Sequence, residues 1–174
     1  MTVQNPLTEK DFQQLVYDGL EMNGYIKRGN FEFDAKRAMD PGMLMAFIED
    51  TQPETFEKLW NLFDGDIEEG IFNRVATDIG RRGLIRVLWD GVDFDGVATL
   101  DLVYPKPSAV FDPNAVRLFE ENDLSVMQEV WHKEDERIDL VIFLNGLAIF
   151  TIELKCNSAG TSWDYREAIR QYKE

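Results

Sequence analysis

Residues 138–155 read IDLVIFLNGLAIFTIELK. Two apolar runs, 138–144 and 147–154, flank Asn145-Gly146, the short-range signal of two strands joined by a tight hairpin. Asp139 stands at the mouth of the first run. Glu153 and Lys155 stand at the end of the second. Residues two apart in a strand share a face, so Glu153 and Lys155 point the same way, with Thr151 beside them. Register decides whether Asp139 joins them. A two-residue turn places Leu144 opposite Leu147 and Asp139 opposite Ile152, which sends Asp139 and Glu153 to opposite faces. They converge only if the loop is effectively three residues (145–147, pairing Leu144 with Ala148) or if a bulge adds one residue.

The chemistry that would use such a set is phosphodiester hydrolysis, which places negative charge on an already anionic group. A divalent metal held by Asp139 and Glu153 offsets that charge and lowers the pKa of an attacking water. Lys155 can orient the water and stabilise developing charge. The main-chain carbonyl of Leu154 is a further candidate ligand. All-oxygen donors suit Mg²⁺. The pattern, Asp, thirteen residues, Glu, one residue, Lys, is loose. Its plain alternative is a set of solvated strand ends in which Glu153 and Lys155 form a weak surface pair.

Outward from the hairpin, helical spacing dominates residues 1–82. Phe12, Leu15, Val16 and Leu20 recur at helical intervals over 8–24, with Thr8 and Asp11 as a capping box and Gly24 as the stop. Segment 25–34 carries no decisive periodicity. Asp40-Pro41 and Pro53 each open a helix, carrying Leu44, Phe47 and Ile48, then Phe56, Leu59, Trp60 and Phe63. Ile67–Ile79 reads as another, closed by Gly80 or Gly83. Residues 84–89 (LIRVLW) and 97–104 read as strands, 113–121 as a short helix, 125–132 as a strand, 156–162 as a polar loop and 165–173 as the start of a helix. The expectation is one domain over 1–174, with a helix-rich part at 1–82 and a mixed-sheet part at 83–174.

A chain of 174 residues is long enough for a substantial core. Its 44% hydrophobic content and 12 Phe, 4 Trp and 5 Tyr are those of a globular protein. No run approaches a membrane span and the N-terminus shows no secretory pattern, so a cytoplasmic, reducing setting without membrane contact is expected. A single cysteine, Cys156, and a single histidine, His132, exclude a Cys/His zinc cluster. The net charge of -15 argues against a nucleic-acid binder on electrostatics alone. From residue 153 onward four basic residues balance four acidic ones, so the excess lies before that point. Either a partner surface supplies the positive track for DNA, or the acidity solubilises.

The stretches AFIEDTQPETFEKL (46–59), DLSVMQEVWH (123–132), DLVIFLNGLAIFTIELK (139–155) and EAIRQYKE (167–174) resemble the N-terminal region of the restriction (R, motor) subunit of type I restriction-modification enzymes. The resemblance implies a restriction-endonuclease-like fold: a mixed α/β sheet flanked by helices, here with additional N-terminal helices. It implies a PD-(D/E)xK site in which Asp139 and Glu153 bind Mg²⁺ and Lys155 is the catalytic lysine. It implies a Gln-x-x-x-Tyr motif on the following helix, for which Gln171 is the candidate Gln; if Tyr172 is the Tyr, Ala168 stands in the Gln position. Related domains often place a Phe-Glu pair on the first helix to serve the metal. Here the pair is Phe12-Gln13, so Glu9 or Gln13 is the candidate contribution. The resemblance further implies ATP-hydrolysing motor lobes beyond residue 174, assembly with methyltransferase and specificity subunits, and cleavage of double-stranded DNA. The chain itself has no Gly-rich phosphate loop ending in Gly-Lys-Ser/Thr, so ATP is expected only through those motor lobes.

Other features weigh toward plain roles. Trp60, Trp89 and Trp131 are expected in core or half-buried packing. Trp163 is a candidate DNA contact, as are Arg166, Arg170 and Lys173, which share one helical face. Arg81, Arg82 and Arg86 form a small basic cluster better explained as surface charge. Cys156 lacks a paired His and reads as a small buried hydrophobe. Three functional classes remain: the Mg²⁺-dependent nuclease domain, a noncatalytic adaptor docking the motor onto the methyltransferase and specificity core, and a nuclease of another defence or repair system.

Overall fold

The computed structural model describes residues 8–64, 66–108 and 112–155. Helix α1 (Glu9–Met22) starts where the sequence requires. Thr8 accepts from the Asp11 N–H while the Asp11 carboxylate accepts from the Thr8 N–H, a reciprocal capping box. Asp40 caps α2 (Pro41–Thr51) by accepting from the Met43 N–H, with Pro41 at the first helical position. Pro53 opens α3 (Pro53–Leu62), and α4 (Ile67–Arg82) has acidic residues in its first turn and Arg81 and Arg82 in its last.

The segment read as a strand at 84–89 is instead a helix, α5 (Leu84–Asp90). Its β-branched and aromatic residues suggested a strand, but Leu84, Val87 and Leu88 share one side at helical spacing and pack on the core. Ile85 and Trp89 point outward, and Arg86 pairs with Asp90 one turn on at 2.6 Å. Gly91 then turns the chain at φ 71°, where a Cβ would lie 2.7 Å from the Leu100 carbonyl oxygen. The long strand expected at 97–104 shrinks to β3 (Thr99–Leu100), which pairs with β2 (Val92–Asp93) in a small antiparallel sheet.

The main sheet has strand order β1-β4-β5-β6. It comprises β1 (Ile26–Lys27), parallel to β4 (Leu124–Lys133), then β5 (Glu136–Leu144) and β6 (Leu147–Ile152) in antiparallel succession. Helix α6 (Pro113–Glu120), started by Asp112-Pro113, leads into β4. The fold is therefore α/β, a mixed sheet with helices around it. One face of the sheet packs Val126 and Leu140 under Tyr17, Val16 and Leu20 of α1. Met127, Val130, Val141 and Phe143 form a second cluster, with Phe33 edge-on to Phe143 at 6.0 Å. The largest cluster gathers α2–α5, the small sheet and Leu147. The inner side of α1 differs from the stripe read in the sequence: Gln13 and Tyr17 are its buried residues, while Phe12 and Leu15 face outward.

The β5–β6 turn lies inside the protein. Asn145 and Gly146 have φ of 50° and 82°, the two positive values that a type I′ turn needs. Asn145 is fully buried. Its side chain accepts from the Asp123 N–H at 2.8 Å and donates to the Leu102 carbonyl and to Asn122, both at 3.0 Å. The Asp40 N–H donates to the Gly146 carbonyl at 2.7 Å, and Leu147 bridges to Met39. Asp40 is itself buried and holds Arg28 Nε at 2.8 Å. A Cβ on Gly146 would lie 2.5 Å from the Asp40 carbonyl oxygen and 2.6 Å from the Leu44 nitrogen.

Gly146→Ala is expected to cost roughly 2 kcal/mol or more, from positive φ and overpacking together. Asn145→Ala, which leaves buried backbone groups unpaired, is expected to cost about 2–4 kcal/mol. Urea unfolding midpoints of both variants against the parent measure this; unchanged midpoints would remove the turn from its structural role.

Candidate active site

The site is built by the strand register. β5 and β6 leave the turn as a two-residue hairpin, Leu144 opposite Leu147 and Phe143 opposite Ala148. The next pair is Ile142 with Phe150, so Ile149 is an extra residue on β6, a bulge. Beyond it Val141 pairs with Thr151 and Leu140 with Ile152. That register, extended one step past the last paired residues, brings Asp139 level with Glu153. The extra residue required for the two carboxylates to converge is thus present, in the strand rather than in the turn.

Direct contacts follow. Asp139 is only 9% exposed. Its Oδ2 accepts from the Leu154 N–H at 2.7 Å. The Leu154 N–H is thereby joined to the Asp139 carboxylate. Burial, and next the Asp139 carboxylate, push the Glu153 carboxyl above the ordinary carboxylate range; Lys155 and the Asp139 N–H pull it partly back. Glu9, at the start of α1, is close enough to add to the upward push. Lys155 is exposed at the end of this run. Among the described residues no group of three or more His, Cys, Asp or Glu side chains is gathered to hold a metal. The donors present are two carboxylates at close quarters, partly desolvated and mutually repelling, a combination that a hard divalent cation relieves. On donor chemistry, Mg²⁺ fits this pair.

Gln13 takes a part that its residue type did not announce. Only 6% exposed, it donates from Nε2 to the Asp139 main-chain carbonyl at 2.9 Å. The sequence suggested a hydrogen-bond acceptor facing the metal; the amide nitrogen is instead committed to the strand. No spacing rule links residues 126 apart, so this tie was invisible in the sequence.

The remaining candidates separate from the site. Arg81 and Arg82 both pair with the buried Asp78, and Arg86 pairs with Asp90. Trp89 is 84% exposed, against the expected packing. Trp60 and Trp131 are half exposed, the first beside Phe56 and the second under the Arg137 guanidinium. His132 pairs with Glu136 at 2.9 Å. Cys156, Trp163, Arg166, Arg170, Gln171, Tyr172 and Lys173 lie outside the described residues. No helix among the described residues is long and apolar enough to cross a membrane.

An α/β fold of this kind, with paired carboxylates and a lysine at a strand end, is compatible with several chemistries. The family model of the type I restriction enzyme R protein N-terminus matches residues 6–174. The chain belongs to that family. No curated protein and no solved structure matches it.

A folded carboxyl held above its ordinary range binds its proton more tightly than in the unfolded chain. Its contribution to stability is full below the unfolded value and is lost as pH rises through the folded one. Glu153→Gln removes that loss while keeping the size and shape of the side chain. Without divalent cations, the variant's Tm is expected to exceed the parent's at neutral pH and to converge with it near or below about pH 4. Thermal melts across pH check this; a lower Tm for the variant at neutral pH would contradict it.

Proposed function

We propose that this chain is the Mg²⁺-dependent endonuclease domain of a type I restriction enzyme R subunit, with Asp139, Glu153 and Lys155 as its PD-(D/E)xK site. The observation that carries the reading is the Ile149 bulge, which sets Asp139 level with Glu153 in a chain of this family. Asp139 and Glu153 would hold the metal, with the Leu154 carbonyl and Glu9 or Gln13 as further candidate oxygens. The bound ion would offset phosphate charge and lower the pKa of the attacking water. The ammonium of Lys155, next along the face from Glu153, would orient that water and stabilise charge developing on the phosphate oxygens. The water oxygen forms the new P–O bond, the ester P–O bond breaks, and the leaving sugar oxygen takes up a proton.

The substrate in this reading is double-stranded DNA, delivered by ATP-driven motor domains and selected by methyltransferase and specificity subunits. Trp163, Arg166, Arg170, Gln171, Tyr172 and Lys173 are the proposed DNA contacts. A second reading, a noncatalytic adaptor, is favoured by one observation: Ile85 and Trp89 of α5 line an exposed groove with Ile149, between Arg82 and Arg86. That face would dock a partner without chemistry.

In the reconstituted complex with Mg²⁺ and ATP, Asp139→Ala and Lys155→Ala are each expected to lower cleavage of long DNA by at least about 100-fold, with ATP hydrolysis retained. Cleavage equal to the parent's in both variants would leave the adaptor reading standing.

A further inference from the structure

β6 stops pairing with β5 after Ile152, one residue short of Asp139. The backbone carbonyl of Asp139 is served by a side chain where a strand would have served it. The Gln13 amide donates to it at 2.9 Å. On the other flank, Glu129 stands opposite Asp139 but has φ 58°, and the pairing passes from Gln128 with Leu140 to Val130 with Ile138. The candidate metal-binding carboxylate thus sits at an interruption in both ladders. Its Oδ2 is aimed by one bond, from the Leu154 N–H at 2.7 Å.

Gln13 closes this arrangement from α1. A buried amide is costly unless bonded, and an unpaired buried carbonyl is equally so. We propose that Gln13 is a positioning residue: by holding the Asp139 carbonyl it fixes the strand end, and so sets the orientation of the Asp139 carboxylate toward a divalent cation. The inference rests on the metal-site reading above. It assigns Gln13 a geometric role and not an electrostatic one, because the amide brings no charge and its nitrogen is already used. The two roles part over Gln13→Glu. A carboxylate cannot donate to the Asp139 carbonyl, yet it adds negative charge beside the site. Positioning makes that variant bind cations more weakly; charge supply makes it bind them more tightly.

The test uses Mn²⁺ as the probe, titrated calorimetrically into the full 174-residue chain at neutral pH. Gln13→Met, close in shape and unable to hydrogen-bond, and Gln13→Glu are both expected to weaken Mn²⁺ binding by about 10-fold or more, the usual effect of removing an outer-shell partner. Amide hydrogen exchange provides a second measurement. In Gln13→Met the Leu154 N–H is expected to exchange faster while that of Ile71, in the core of α4, is unchanged. Binding within twofold of the parent in Gln13→Met, or tighter binding in Gln13→Glu, would overturn the inference. Asp139→Asn is the control for the underlying reading. If it leaves Mn²⁺ affinity intact, the metal site is wrong, and Leu154 exchange alone then decides whether Gln13 holds this strand end: faster exchange supports it and parental exchange overturns it.

Discussion

The buried Asn145-Gly146 turn is the constraint on which the rest of the structure depends. Hairpin turns ordinarily lie at the surface, where their polar groups meet water. Here the turn is inserted between the helices and the sheet, and each polar group must find a protein partner. Asn145 supplies three of them, reaching Asp123 at the entry to β4, Asn122 before it, and Leu102 beyond the small sheet. Gly146 lets Asp40 and Leu44 approach closer than any side chain would permit. The N-cap of α2, the start of β4 and the β5–β6 hairpin are thereby fixed to one another. Arg28 extends the connection to β1 through its pair with Asp40.

From that fixed point the hairpin runs outward to the candidate site, and the Ile149 bulge changes its phase partway. Bulges bend and re-aim strands, and they recur beside functional sites. The result here is a pair of carboxylates brought together under desolvation, with the proton affinity of Glu153 raised as a consequence. That is a poor arrangement for a bare fold and a good one for a cation. The commitment of the surrounding groups is consistent with it: the Leu154 N–H holds the Asp139 carboxylate and the Gln13 amide holds the Asp139 carbonyl.

Much of this was legible in the residues. Thr8 with Asp11, Asp40 with Pro41, and Asp112 with Pro113 mark helix starts through local chemistry that tertiary structure has no reason to override. The hairpin was equally plain, and the need for one extra residue between Asp139 and Glu153 follows from strand alternation alone. Its location did not, because a three-residue loop and a bulge satisfy the same count. The LIRVLW segment fits two periods, because five of its six residues are apolar, and the packing of Leu84, Val87 and Leu88 against the core decided between them. The inner face of α1 was misread for a related reason. Gln13 looks like a surface residue until the Asp139 carbonyl 126 positions away is placed beside it.

The bulge has a consequence for how such a domain tolerates change. Substitution at Ile149 alters one half-exposed side chain. Deletion of one residue there leaves the turn, the composition and every candidate site residue in the chain, yet exchanges inside for outside from Phe150 onward. Glu153 and Lys155 would then face α1, while Ile152 and Leu154 would turn out to water. A frame of side chains, in the sense that codons have a frame, runs through this strand, and the candidate chemistry is readable in only one of its two phases.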